Sequence, residues 1–287
     1  MSFEPKAAVD TAWVFKQFLF EDVLRDLDDH FQRLNIDYMP IKGAYLICAG
    51  LARQIRSRTM SDVDILVRER DFDAVVSHFR SIPNARIAEG SWPINKKGWP
   101  FEVTFLVPYK GRIFNIDFHK LVNLCQRFIL PTEHLFARGM HRGHRTLPCA
   151  EDALIICLCH GLSHAGHFFS DALFGDVELL TNTSMDWARF WDIADSTGVA
   201  AFIYYVLKRF ERKGKIPSFL VPKKTIKFTY ADFLLLLTRK CGIGSLPPFL
   251  GRLLMELPLC HDPIGLVLNK FARCGGNWKT KNQCLKR

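Results

Sequence analysis

The chain has 287 residues, of which 48% are hydrophobic and 24% charged, with a net charge of +10. That balance suits one or two folded domains and excludes a disordered chain. The surplus of basic residues favours anionic partners such as nucleotides, nucleic acid or acidic proteins.

The opening MSFEPKAAVD has no basic region leading into an apolar core, and the runs ALIICLC and FLLLLT are too short to span a bilayer. A soluble, cytoplasmic protein without a membrane partner is therefore expected, with its nine cysteines reduced. Residues 8–34 have helical periodicity, which places Val14, Phe18, Val23, Leu27, Phe31 and Leu34 on one face. IDYMPIKG predicts a short strand ending in glycine, and AYLICAGLAR a helix after it. The continuous apolar run VDILV predicts a central strand covered on both faces, and ERDFDAVVSHFRSI an amphipathic helix. FEVTFLVPYKGRIFNIDFHK contains two alternating runs about a turn at Tyr109–Gly111, which predicts a hairpin.

After Leu121 the patterns are helical, with no convincing strand pair. LPCAEDALIICLCHGLSHAGH starts as a helix N-terminus should, with a proline and two acids. In SMDWARFWDIADSTG, Ser184 is the expected N-cap and Gly198 the stop. The fold class expected is α+β. A small mixed-sheet domain with an N-terminal helix covers residues 1–120, an all-helical domain 121–272, and a basic tail 273–287.

The chemistry centres on RSRTMSDVDILV. Asp62 and Asp64 lie two residues apart on one strand, so their side chains share a face about 7 Å apart. Like charges so placed repel unless a cation sits between them. Neutralising either one as asparagine is thus expected to leave stability unchanged or slightly higher. In IFNIDFHK, Asp117 shares a strand face with Asn115 and His119. An acid in an apolar strand is costly to bury unless paired or metal-bound, and three carboxylates from neighbouring strands can hold one or two Mg²⁺ ions. The structural alternative is an exposed strand entrance, since D-x-D recurs by chance. His160, His164 and His167 fall on one helix face near Cys157. They read first as packed interior histidines; the alternatives are a zinc site, the minority reading, and a cap on the nucleotide site by His160 and His164.

MPIKGAYLICAGL followed by RSRTMSDVDILV resembles the nucleotidyltransferases of the polymerase-beta-like superfamily, nearest to a branch described as uncharacterised nucleotidyltransferases. The matching positions are Lys42, Gly43 and Ala44, then Arg58, Asp62 and Asp64, then Asp117 and His119; the likeness extends over roughly residues 36–210. The resemblance implies that a nucleoside triphosphate, ATP first among them, binds at Lys42, Gly43 and Ala44, with Arg58 covering its charge and His119 beside it. It also implies that Asp62, Asp64 and Asp117 hold Mg²⁺ or Mn²⁺. A nucleoside monophosphate would pass to an unknown acceptor bound by the helical domain: a small molecule, a peptide or protein, or RNA. Nucleic acid is the less favoured of these, because no aromatic–basic platform for a single strand is visible. The wider superfamily has Gly-Ser where this chain has Gly43-Ala44. The remaining readings are a phosphotransferase on the same scaffold and a degenerate nucleotide- or partner-binding module.

Overall fold

The structure, a computed structural model, describes residues 11–52, 60–88, 102–122, 130–163 and 171–217. The chain divides into two compact units, and every strand belongs to the first. Helix α1 (Thr11–Leu34) leads into strand β1 (Tyr38–Pro40), helix α2 (Lys42–Cys48), strand β2 (Asp62–Val67) and helix α3 (Glu69–Ser81). Strands β3 (Arg86–Ile87), β4 (Glu102–Tyr109) and β5 (Arg112–His119) follow. Helix α4 (Thr132–Arg138), strands β6 (Met140–Arg142) and β7 (Arg145–Leu147), and helix α5 (Ala150–Ser163) come next. Helices α6 (Asp171–Thr181), α7 (Trp187–Ser196) and α8 (Ala200–Arg212) complete the described residues.

The strands form one mixed seven-stranded sheet in the order β3-β4-β5-β2-β1-β7-β6. Strand β2 is central, as its unbroken apolar run predicts, pairing antiparallel with β1 and parallel with β5. Alternation along the strands sends Val63, Ile65, Phe105, Ile116 and Phe118 to one face. There Phe118 packs on Phe79 of α3 at 4.5 Å between ring centroids, and both contact Phe105. Phe31 of α1 touches Phe118 and stacks on Tyr38 at 4.3 Å. The buried side chains of α3, Phe72, Val75, Val76 and Phe79, follow the i, i+3, i+4, i+7 spacing. The opposite face of the same strands is left for polar groups.

Three expectations need correction. Phe18 is not on the core face of α1 but 58% exposed. Thirteen residues separate it from Phe31, which at 3.6 per turn sets the two on different sides; the buried stripe runs through Phe20, Val23, Leu24, Leu27 and Phe31. Helix α7 begins at Trp187, so Ser184 lies outside it and does not cap it; Gly198, at φ 74°, ends it as expected. The chain after Leu121 is not wholly helical, because β6 and β7 form a hairpin and β7 extends the sheet beside β1 at Tyr38↔Arg145. These strands are three residues long and all of β6 is exposed. They therefore carry no apolar alternation, and the partner of β7 is about a hundred residues away in sequence.

Gly139 makes that hairpin's entry possible. A Cβ there would lie 2.4 Å from Thr146 Cγ2 and 2.9 Å from the Leu147 carbonyl oxygen. Gly139→Ala is accordingly expected to cost roughly 1–3 kcal/mol, as overpacking does. A lower urea midpoint at unchanged slope is the expected reading; an unchanged midpoint would mean that the backbone yields freely.

Among the described residues, no helix is long and apolar enough to cross a membrane, and Cys48, Cys149, Cys157 and Cys159 are free thiols. Residues 218–287, which include much of the expected helical domain and the basic tail, lie outside the described set.

Candidate functional site

The polar face of the sheet is assembled by strand register. In the parallel β2–β5 pair, Asp64 lies opposite Asp117, Asp62 opposite Asn115, and Leu66 opposite His119. In the antiparallel β4–β5 pair, Thr104 lies opposite Asp117 and Glu102 opposite His119. The connection fixes this second register. Lys110 and Gly111 have φ of 47° and 74°, as a two-residue hairpin turn requires, so every pair down to Glu102↔His119 follows. Because side chains alternate, Glu102, Thr104, Asp64, Asn115, Asp117 and His119 project from one face.

On that face, donor atoms of Asp64, Asp117 and His119 lie within 4.8 Å of one another. His119 Nε2 donates to Asp64 Oδ1 at 2.9 Å, and its Nδ1 is 3.4 Å from Glu102 Oε2, so the ring stands between two carboxylates. From the start of α2, the Lys42 ammonium donates to the same Asp64 oxygen at 2.5 Å. Lys42 has φ 52°, a left-handed conformation that L side chains avoid at a cost of about 1–2 kcal/mol. That conformation aims the side chain at β2, and the Ile41 N–H bonds the Asp64 carbonyl, tying the same two segments through backbone.

The two facing aspartates have opposite electrostatics. Burial alone would raise the Asp64 carboxyl, but the Lys42 charge and the His119 hydrogen bond outweigh it and hold the group well below the ordinary carboxylate range. Asp117 is pushed up to about 6, mainly by burial, with the charge of Asp64 adding to it and a hydrogen bond from Thr104 opposing it. Its Oδ1 is buried without a hydrogen-bond partner. Lys42 is stabilised as an ammonium: burial opposes the charge, while Asp64, then Glu102 and Asp62, favour it.

Of the residues singled out in the sequence, the structure brings together Lys42, Asp64, Asp117 and His119. Asp62 is one pair further along, half-buried at the end of β2, and its charge reaches Lys42. Gly43 and Ala44 are buried in the first turn of α2, whose N-cap Ile41 makes no side-chain capping bond. Arg58, His164 and His167 lie outside the described residues, and His160 is half-buried on α5. Sequence reading passed over Glu102 and Thr104. The turn could have found them, since a two-residue loop at Lys110–Gly111 pairs 104 with 117 and 102 with 119.

Two carboxylates and an imidazole within 4.8 Å, one carboxylate oxygen lacking a partner, are a donor set that fits a divalent cation. Oxygen donors suit Mg²⁺ and Mn²⁺, and the ring nitrogen is better matched to Mn²⁺. The chain matches no curated protein and no solved structure. It does match the family described as "Uncharacterised nucleotidyltransferase", over residues 11–212.

Proposed function

The chain belongs to the uncharacterised nucleotidyltransferase family, and from that premise we propose that it transfers a nucleoside monophosphate from an NTP, ATP by preference, to an acceptor nucleophile. The observation that carries this reading is the opposed pair Asp64 and Asp117 on adjacent strands, with the Asp117 oxygen still partnerless. Asp64 and Asp117, with His119 beside them and Asp62 next on the strand, would hold Mg²⁺ or Mn²⁺. When bound, such an ion neutralises phosphate charge and favours departure of pyrophosphate.

The chain's own residues divide the remaining work. The uncapped first turn at Gly43 and Ala44 offers backbone N–H groups to phosphate oxygens, and Lys42 supplies positive charge beside them. Ala44 has no hydroxyl to add. Arg58 is assigned to the same phosphates. Asp117, on the strand beside Asp64, is assigned to accept or orient the proton that the attacking acceptor loses. The helical residues after 121 are assigned to the acceptor, whose class stays open among small molecules, peptides or proteins and RNA. The cytoplasm, where NTP and Mg²⁺ are abundant, is the compartment this chemistry suits.

The test is incubation with α-labelled and γ-labelled ATP in Mg²⁺ or Mn²⁺ together with cell extract as acceptor source. Retention of the α label on an acceptor, with release of labelled pyrophosphate from the γ-labelled nucleotide, is expected. Transfer of the γ label with release of ADP would replace the proposal by phosphoryl transfer. Movement of neither label, with ATP still bound, would make the protein a nucleotide-binding module.

A further inference from the structure

The Asp64 carboxylate that a metal needs already has a cation on it. The Lys42 ammonium and the His119 ring both donate to Oδ1, at 2.5 and 2.9 Å. The lysine is 15% exposed and the aspartate 5%, so solvent screens this contact poorly. Its origin also argues for selection of the side chain rather than of the backbone. A left-handed residue at the entry to α2 would be filled without strain by glycine, yet position 42 is lysine, and the glycine follows it at 43. The strained conformation is held by the Ile41–Asp64 backbone bond on one side and by the ammonium–carboxylate contact on the other.

Resting on the nucleotidyl-transfer reading, we propose that Lys42 is the resident counter-ion of the site, holding Asp64 while metal is absent and moving to the nucleotide's phosphates when metal and nucleotide enter. A divalent cation beside Asp64 and Asp117 would repel the ammonium at close range in a weakly screened setting. The lysine therefore has to leave Asp64, and the anion that then satisfies it is the triphosphate arriving with the metal. Metal alone displaces Lys42 and leaves it only the weaker pull of Glu102 and Asp62, and nucleotide alone has to draw it from a buried carboxylate. The two ligands together exchange one charge pair for two. Each therefore strengthens the other's binding, by the same factor in both directions. The device would also keep the site from filling with metal when no nucleotide is present.

The test uses the full chain, with Mn²⁺ and the non-transferable analogue α,β-methylene-ATP as probes. Free Mn²⁺ is followed by electron paramagnetic resonance, with and without the analogue. For the unaltered protein, Mn²⁺ is expected to bind at least about tenfold more tightly in the presence of the analogue. Lys42→Met should bind Mn²⁺ alone about tenfold or more tighter than the unaltered protein, because nothing competes for Asp64. The enhancement by the analogue, after subtraction of the Mn²⁺ that the free analogue chelates, should be about tenfold smaller in Lys42→Met than in the unaltered protein, what remains being direct metal–phosphate attraction. If Lys42→Met unfolds without metal, Lys42→Gln, which keeps a hydrogen bond to Asp64 without the charge, carries the same comparison. Equal Mn²⁺ affinity in the unaltered and substituted proteins, with binding otherwise intact, would overturn the role of Lys42 alone. Absence of Mn²⁺ binding in every combination would overturn the metal-dependent reading itself and this inference with it.

Discussion

Asp64→Asn is expected to abolish nucleotide transfer and to lower stability by roughly 3 kcal/mol, the low end of what breaking a buried ion pair costs. Two aspartates at alternate positions of one strand suggest the reverse, since neutralising one should relieve repulsion. The structure reverses that expectation for Asp64, because its neighbour in space is Lys42 rather than Asp62. Asparagine would leave the ammonium buried beside a neutral amide. Asp62 and Glu102 would still attract it, which keeps the loss from reaching the upper end. The pH dependence has a definite sign. A carboxyl whose folded pKa is depressed contributes its full stability above its unfolded value, about 4, and loses it progressively as the pH falls from there through the much lower folded value. Urea unfolding at pH 7.5 and pH 3, for the unaltered protein and the variant, should give a large difference at the higher pH and a smaller one at the lower. A variant as stable as its parent at pH 7.5 would show that the Lys42–Asp64 contact contributes nothing to folding.

Asp117→Asn should also stop transfer, by on the order of 10²–10⁴-fold if the carboxylate accepts the acceptor's proton. Its effect on stability should be opposite, a gain of roughly 1–3 kcal/mol at pH 7.5. Burial raises the Asp117 carboxyl to about 6, above its unfolded value, so the folded protein binds that proton more tightly than the unfolded chain. The unaltered protein therefore loses stability as pH rises from about 4 to 6, and above that range it retains a buried charge with one oxygen unpartnered. Asparagine removes the charge and keeps the hydrogen bond with Thr104. The gain should be full above pH 6, shrink through the interval, and vanish below pH 4. Unfolding midpoints across pH 4–8 would follow it, and a variant less stable at pH 7.5 would assign Asp117 a structural role instead. The two facing aspartates, alike in sequence setting, thus separate by the sign of one measurement.

Much of this arrangement is legible in the sequence wherever a local pattern carries it. The unbroken run Ile65-Leu66-Val67 gave β2 its central place, and alternation in IFNIDFHK set Asp117 and His119 on one face away from Phe118. What pattern could not convey was partnership between distant segments. Nothing near Lys42 in sequence says that its ammonium ends on Asp64, 22 residues on, because that depends on how α2 leaves β1 beside β2. The order of strands was likewise silent in the sequence. Asp62 looked equivalent to Asp64 until the register set it against Asn115 rather than Asp117. Strands β6 and β7 escaped because their pairing is a matter of backbone, and backbone leaves no residue signature in three-residue strands. Phe18 departs from the apolar stripe for a simpler reason: thirteen positions before Phe31, at 3.6 residues per turn, it falls on another side of α1.

The turn at Lys110 and Gly111 has a bearing on which changes the protein can tolerate. It is exposed, touches no site residue and lies about 20 Å along β5 from Asp117, the kind of loop tip where changes in length are ordinarily harmless. Here its length is a unit of measurement. If the loop lost one residue and re-formed as a two-residue turn, β4 would slide one step along β5, and Thr104 would face Phe118 while Phe105 faced Asp117. An error of a single residue in a remote surface loop would therefore be copied along the whole hairpin and delivered to the polar face of the candidate site as a change of polarity, so the drift in length that such loops usually permit is closed to this one by residues it never touches.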